Sequence, residues 1–339
     1  MMEYPAGFPA PTEPRIPAHG ETMGHSEEIP HVVEDGEAVP LPQRHSLFHD
    51  RAFTSLVTPL LPGGEEIDWE ALDRLIDRQV MGGASGIIVG GPTSEASTLT
   101  SEEHLELIEW AVKRTRGAIP VLAGTGSNST KEARLMTRYA HECGASGVVL
   151  ITPYANMPTQ TGLISHYLHI ADDVDLPMML HNNPDRTGVR LEIPTLKTLA
   201  AHPRIQALED SSGSLDFGGE VIKKTGLKLF SGTDNMMLPY LAIGATGAVS
   251  VASNIIPSWA TWVVRAALEG DWDRAREIMD PMYPVVEALT LETNPIPVKA
   301  ALEMLGLIHA DIRSPLTALS ERPRLLLRDA LVEAGLLAR

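Results

Sequence analysis

Ile205-Gln206-Ala207-Leu208-Glu209-Asp210-Ser211-Ser212-Gly213 is a short apolar run that ends abruptly in charge and hydroxyls. Just upstream, Pro177-Met178-Met179-Leu180-His181-Asn182 has the same character. A strand with one wet face alternates apolar and polar residues, so runs that are apolar nearly throughout read as strands buried on both faces of a parallel sheet. Six more such runs occur, at Phe53–Thr58, Gly86–Gly90, Pro120–Gly124, Gly147–Thr152, Leu227–Gly232 and Ala248–Ser253. Helix signals fill the gaps between them. Asp68-Trp69-Glu70 precedes Leu72, Leu75, Ile76 and Val80 at helical spacing. Thr100-Ser101-Glu102-Glu103 has the form of a capping box, and Ser129-Thr130-Lys131-Glu132 opens another helix. Eight strands alternating with helices predict an α/β fold, a (β/α)8 TIM barrel over residues 51–256. The remainder, 257–339, reads as C-terminal helices that complete and extend the barrel, at Ala260–Leu268, Trp272–Leu291, Pro297–Leu305 and Pro323–Leu337.

Composition limits the partners. The 339 residues are 43% hydrophobic, enough for one sizeable core, and carry a net charge of −17. Such a surface repels phosphate backbones and anionic lipid, so neither nucleic acid nor membrane is an expected partner. No apolar run approaches the roughly 18 residues of a membrane span, and the N-terminus lacks a basic-then-apolar signal pattern, so cytoplasmic residence is expected. Cys143 is the single cysteine and reads as a small buried apolar residue. Residues 1–50 are rich in Pro, Glu, His and Gly without apolar periodicity, and are expected to form a disordered or surface-draped arm. His19, His25, His31, His45 and His49 lie in it, at spacing too irregular to assign a metal. Gly124-Thr125-Gly126 lacks the third glycine and later acidic residue of a dinucleotide site, so no cofactor is expected.

In such a barrel, chemistry sits at the C-terminal ends of the strands. Those ends are polar here: Gly91-Pro92-Thr93-Ser94-Glu95, Thr152-Pro153-Tyr154-Ala155-Asn156, His181 to Gly188, Glu209 to Gly213, Ser231-Gly232-Thr233-Asp234, and Ser250, Ser253 and Asn254. If Leu180 and Leu208 face the helices, strand alternation turns His181 and Glu209 to the barrel axis, where strands 5 and 6 are neighbours. The two side chains are then expected to approach each other.

At these residues the chain resembles the dihydrodipicolinate synthase and N-acetylneuraminate lyase family. The markers span roughly residues 52–338: Val57-Thr58-Pro59, Gly91 to Glu95, Ala123 to Gly126, Thr152-Pro153-Tyr154, Asn182 to Gly188, Asp210 to Gly213, Gly232-Thr233-Asp234 and Asn294 to Lys299. The resemblance implies a lyase or aldolase in which a strand 6 lysine forms an imine with a 2-oxo acid and a strand 5 tyrosine relays protons. Four positions depart from that pattern. Glu209 stands at the lysine position, His181 at the tyrosine, Pro92 at the first hydroxyl of the strand 2 motif, and Ala155 at a tyrosine that in many relatives reaches a neighbouring subunit. Thr93 and Arg186 match positions that hold carboxylates, and Tyr154 matches the first strand 4 tyrosine. Gly232, Asp234 and Val249 are further substrate-binding candidates. The resemblance also implies a homotetramer or homodimer.

Imine formation needs an amine, which Glu209 lacks. The lysines are Lys113, Lys131, Lys197, Lys223, Lys224, Lys228 and Lys299; most fall in helices, Lys228 begins strand 7, and none is expected at the mouth. A buried carboxyl beside a histidine suits proton transfer. The reading is therefore a divergent lyase (C–C or C–O) or isomerase on a small carboxylate-bearing substrate, with Glu209, His181 and Tyr154 as catalytic candidates. Two alternatives stay open: a metal held by His181, Glu209 and Asp210 or Asp234, for which the spacing gives no assignment, and a catalytically inactive relative that binds a ligand or serves a structural role.

Overall fold

The computed structural model describes residues 47–338. Eight parallel strands close into one barrel in chain order: β1 (Arg51–Ser55), β2 (Ile87–Val89), β3 (Val121–Gly124), β4 (Gly147–Ile151), β5 (Met178–Asn182), β6 (Ile205–Asp210), β7 (Lys228–Ser231) and β8 (Gly247–Ser250). Pairing of β8 with β1, Phe53 opposite Val249, closes the ring. The crossovers carry α1 (Trp69–Met81), α2 (Ser101–Thr115), α3 (Thr130–Glu142), α4 (Gln160–Ala171), the single turn α5 (Pro184–Thr187), α6 (Ile193–Ala200), α7 (Leu215–Thr225) and α8 (Met237–Ala242). After β8 come α9 (Trp259–Leu268), α10 (Trp272–Met279), α11 (Tyr283–Ala288), α12 (Ile296–Met304) and α13 (Glu321–Glu333). Among the described residues no helix is long and apolar enough to cross a membrane.

The helix starts follow their caps. Asp68 accepts from the Ala71 amide, and Ser129 from that of Glu132. Thr100 and Glu103 bond reciprocally, each side chain to the other's backbone N–H at 3.1 and 2.8 Å, so the capping box is present.

Two apolar layers hold the barrel. Leu180 and Leu208 belong to the large layer between strands and helices, whereas Met179, Ala207, Phe53, Phe230 and Val249 fill the interior. Strand alternation thus turns His181 and Glu209 inward, as expected from the sequence, and the β5–β6 register sets them directly opposite each other. Phe48 plugs the interior, fully buried against Phe53 and Phe230. Burial of such a ring contributes on the order of 2–3 kcal/mol. The expected arm therefore does not extend to residue 50: Phe48 belongs to the core, and the rest of that reading, residues 1–46 with His19, His25, His31 and His45, lies outside the described residues. His49 is exposed and pairs with Asp50 at 2.8 Å.

Other boundaries also shift. The run Phe53–Thr58 overshoots β1: Val57 and Thr58 are buried, but their hydrogen bonds go to Asn254 Oδ1 and the Ser94 carbonyl rather than to a ladder. The run Ala248–Ser253 overshoots β8, because Ala252–Asn254 coils into a 3-10 turn. The stretch Trp272–Leu291 is not one helix. Pro281 and Pro284 lack the N–H that a continuous helix needs, and a 3-10 turn at Asp280–Met282 separates α10 from α11. Cys143 is half-buried at the C-cap of α3 rather than in the core.

Candidate active site

The C-terminal ends of the strands surround a cavity of about 400 Å3. Its inner part is built on β5 and β6. His181 and Glu209 are each 5% exposed, and His181 Nε2 lies 3.3 Å from Glu209 Oε1. The same nitrogen is 3.0 Å from Ser211 Oγ and 3.5 Å from Asn183 Nδ2. Ser211 Oγ also donates to the Gly232 carbonyl at 3.3 Å, so the role of Nε2 turns on Glu209: a protonated carboxyl donates to it and leaves the ring proton on Nδ1. Val249 and Gly232 complete the inner wall. A Cβ on Gly232 would lie 2.2 Å from Ser211 Oγ, so nothing larger than glycine fits beside that hydroxyl without displacing it.

Burial sets the charge state of this pair. It pushes the Glu209 carboxyl up to about 8, with repulsion from Asp210 adding in the same direction. It holds the His181 imidazole far below its ordinary range, and the positive charge of Arg186 adds to that. Burial thus favours the neutral form of both groups, a carboxyl carrying a proton and an imidazole able to take one.

Thr93 Oγ1 lies 2.8 Å from Ser55 Oγ and accepts from Asn294 Nδ2 at 2.9 Å. Arg186, exposed at the rim on α5, donates to the Asn294 carbonyl at 2.8 Å. Asn294 thus ties the two carboxylate-binding candidates together. Tyr154 makes no hydrogen bond to His181 or Glu209. It lines the same cavity, and burial raises its phenol, with the Glu132 charge adding to the effect. Asp234 is not brought to the cavity wall: its Oδ2 accepts from the Val251 and Ala252 amides at 3.0 and 2.9 Å, bracing the β7 loop against the turn after β8. Among the described residues no group of three or more His, Cys, Asp or Glu side chains is placed to hold a metal.

A family model described as the dihydrodipicolinate synthetase family matches residues 49–334. The chain belongs to this family. A 4-hydroxy-tetrahydrodipicolinate synthase of Aquifex aeolicus is 43% identical over 288 residues, covering 84% of this chain and 97% of the relative. One from Exiguobacterium sibiricum is 44% identical over 272 residues, covering 80% and 92%. The crystal structure of the dihydrodipicolinate synthase from Aquifex aeolicus superposes with a TM-score of 0.83 at 42% identity, covering 85% of this chain and 99% of that one. A structure of the Acinetobacter baumannii enzyme, described as complexed with pyruvate, gives 0.83 at 39% identity, covering 86% and 100%.

On this family frame the cavity lining includes no lysine among the described residues. Lys299 on α12 is buried behind the wall, with Nζ 2.6 Å from Oε1 of Glu95, and Glu95 lines the cavity. The sequence reading missed the roles of Ser55, Ser211, Asn294 and the Glu95–Lys299 pair. Inward alternation on β1 marks Ser55; the other contacts join distant segments and leave no local signal.

Proposed function

We propose that this chain is a lyase that dehydrates, or hydrates, a small carboxylate-bearing substrate by proton transfer at Glu209 and His181 rather than through an imine. The observation that carries this reading is the 3.3 Å contact between the two groups, with the carboxyl pushed up and the imidazole pushed down. Two titratable groups driven apart in this way divide into an acid and a base. His181 Nε2 takes the proton from the carbon next to the carboxylate. The C–H pair becomes the new double bond, the C–O bond breaks, and the Glu209 proton leaves with the hydroxyl as water. The proton then on His181 returns to Glu209 across their contact, which restores both groups. Thr93 and Arg186 hold the carboxylate, and Gly232 and Val249 shape the inner wall. The four departures at Pro92, Ala155, His181 and Glu209 support this reading over the inherited imine.

A second reading, 4-hydroxy-tetrahydrodipicolinate synthase, is favoured by the 43% and 44% identity to relatives of that name. It requires an amine nucleophile. Borohydride reduction of the full chain with pyruvate, followed by peptide mass mapping, separates the two. No reduced adduct is expected at any lysine. An adduct at Lys299, or at any other lysine, would return the chain to the synthase reading. Saturable carboxylate binding with no turnover would mark a non-catalytic relative instead.

A further inference from the structure

Ser55 closes β1, and strand alternation puts it on the inner face with Phe53, two residues earlier. Its backbone is held from across the barrel seam. Asn254, wholly buried in the turn after β8, donates from Nδ2 to the Ser55 carbonyl at 2.8 Å and accepts at Oδ1 from the Val57 amide at 3.1 Å. The Ser55 side chain is buried at the cavity wall, where its Oγ donates to Thr93 Oγ1 at 2.8 Å. The proposed chemistry gives this serine no task. The family pattern carries a hydroxyl next to Thr93 at position 92, where this chain has Pro92. Ser55 brings one to Thr93 from another strand.

Thr93 receives a second donor on the same oxygen, Asn294 Nδ2 at 2.9 Å. Asn294 is held in turn by Arg186, which donates to its carbonyl at 2.8 Å. A hydroxyl oxygen has two lone pairs and one proton. With a donor on each lone pair, Thr93 can meet any further group only by donating to it. Among the described residues its proton finds no acceptor, and its side chain lines the cavity. Hydrogen bonds in a chain polarise one another, so two donors on the Thr93 oxygen make its own proton a stronger donor. Such a donor gains more from a charged acceptor than from a neutral one.

We propose that Ser55 is a positioning residue of the carboxylate site: by donating to Thr93 alongside Asn294, it turns the Thr93 proton to the ligand and makes this end of the cavity select an anion over its neutral analogue. This rests on reading Thr93 as the group that holds the carboxylate, and it needs nothing from Glu209 or His181. The test follows binding rather than turnover, so a chain without activity would still leave it standing.

The measurement is calorimetric titration of the full chain with pyruvate and with pyruvamide, a neutral analogue of nearly the same shape, in the parent, Ser55→Ala, Thr93→Val and the double variant. The parent is expected to prefer pyruvate by about five- to tenfold, the difference between hydrogen bonds to charged and to neutral acceptors. Ser55→Ala is expected to lower that preference about threefold while leaving pyruvamide affinity nearly in place. Thr93→Val is expected to abolish the preference. Ser55→Ala added to it is then expected to change nothing further, because Ser55 acts through Thr93. An unchanged preference in Ser55→Ala overturns the proposal and leaves the carboxylate reading of Thr93 intact. So does an equal loss for both compounds, which would mark a general loosening of the wall, or an undiminished effect in the Thr93→Val background. A Thr93→Val chain that keeps its preference, or a parent that binds neither compound, overturns that reading as well.

Discussion

His181 and Glu209 stand directly opposite each other on adjacent strands, with Nε2 3.3 Å from Oε1 and neither side chain more than 6% exposed. In water near pH 7 the carboxyl would be ionised and the imidazole close to its midpoint. Here burial penalises both charges, and the neutral acid and neutral base are the favoured forms.

That arrangement makes stability depend on pH in a stated direction. Glu209 titrates near 4.5 when unfolded and about 8 when folded. Its raised value favours the folded state fully below the unfolded value, and the benefit is lost as pH rises from about 4.5 to about 8. Each pH unit between the two values corresponds to at most about 1.4 kcal/mol. Glu209→Gln carries no such proton. Urea denaturation at pH 5 and pH 8 is expected to show the variant gaining on the parent chain by about 1–3 kcal/mol between the two. Parallel pH profiles would show that Glu209 is already ionised at neutral pH.

Contact between acid and base also fixes stereochemistry. Groups 3.3 Å apart face a bound substrate from one side, so proton removal and hydroxyl departure are expected to be syn. Hydration in D2O of an unsaturated carboxylate that the chain accepts, with NMR of the product, reads this directly. Glu209→Gln and His181→Asn are each expected to lower turnover by about 10²-fold or more without loss of fold. Anti addition would place the base elsewhere on the wall, with Tyr154 the residue to examine.

The barrel and the central pair were legible in the sequence because both rest on local rules. Runs without polar alternation read as strands buried on both faces, and the side-chain period of two carried His181 and Glu209 inward once Leu180 and Leu208 were set outward. The rule fails where apolarity reports burial without a ladder, as at Val57 and Thr58, which are covered by the turn after β8 and the β2 loop. Asp234 illustrates a different limit. A carboxylate at a strand end looks like a ligand group, and here two backbone amides of the next loop take one of its oxygens, while the other is buried without a hydrogen-bond partner. Asn294 and Lys299 reach Thr93 and Glu95 from some 200 residues away, a relation set by how the C-terminal helices fold back and by no spacing in the chain.

Gly232 offers a steric test of the inner wall. Its backbone is not in the left-handed region, so alanine is allowed conformationally, but the added Cβ would meet Ser211 Oγ at 2.2 Å and Glu209 Cγ at 3.1 Å. Gly232→Ala is expected to cost about 1–3 kcal/mol in urea denaturation and to displace the Ser211 hydroxyl from His181. The nearest clash is with that hydroxyl, so Ser211→Ala added to Gly232→Ala is expected to recover most of the loss. A double variant no more stable than the single one would locate the strain in the Asp210 carbonyl or the Glu209 stem.

The Glu95–Lys299 pair gives a test of how the C-terminal helices hold the cavity wall. Glu95 has a left-handed backbone (φ 59°), uncommon for a residue with a side chain, and its carboxylate is held at both oxygens, by Lys299 Nζ at 2.6 Å and the Arg313 amide at 3.0 Å. The two ionic side chains are 3% and 1% exposed. Removing one member of such a pair leaves a buried charge unmatched, at a cost of about 3–5 kcal/mol. The two single variants are not equivalent. Burial lowers the Lys299 ammonium, and Glu95 is what opposes that. In Glu95→Gln the amine can shed its proton and stay buried as a neutral group, whereas in Lys299→Met the Glu95 carboxylate keeps the Arg313 amide and the more distant Arg313 charge but loses the cation in contact with it. Lys299→Met is therefore expected to be the more damaging of the two at pH 8. The double variant is expected to be more stable than Lys299→Met alone, because no buried charge is left unpaired. Urea denaturation of all three chains at pH 8 measures the cycle, and strictly additive costs would mean that the pair contributes packing and no charge coupling.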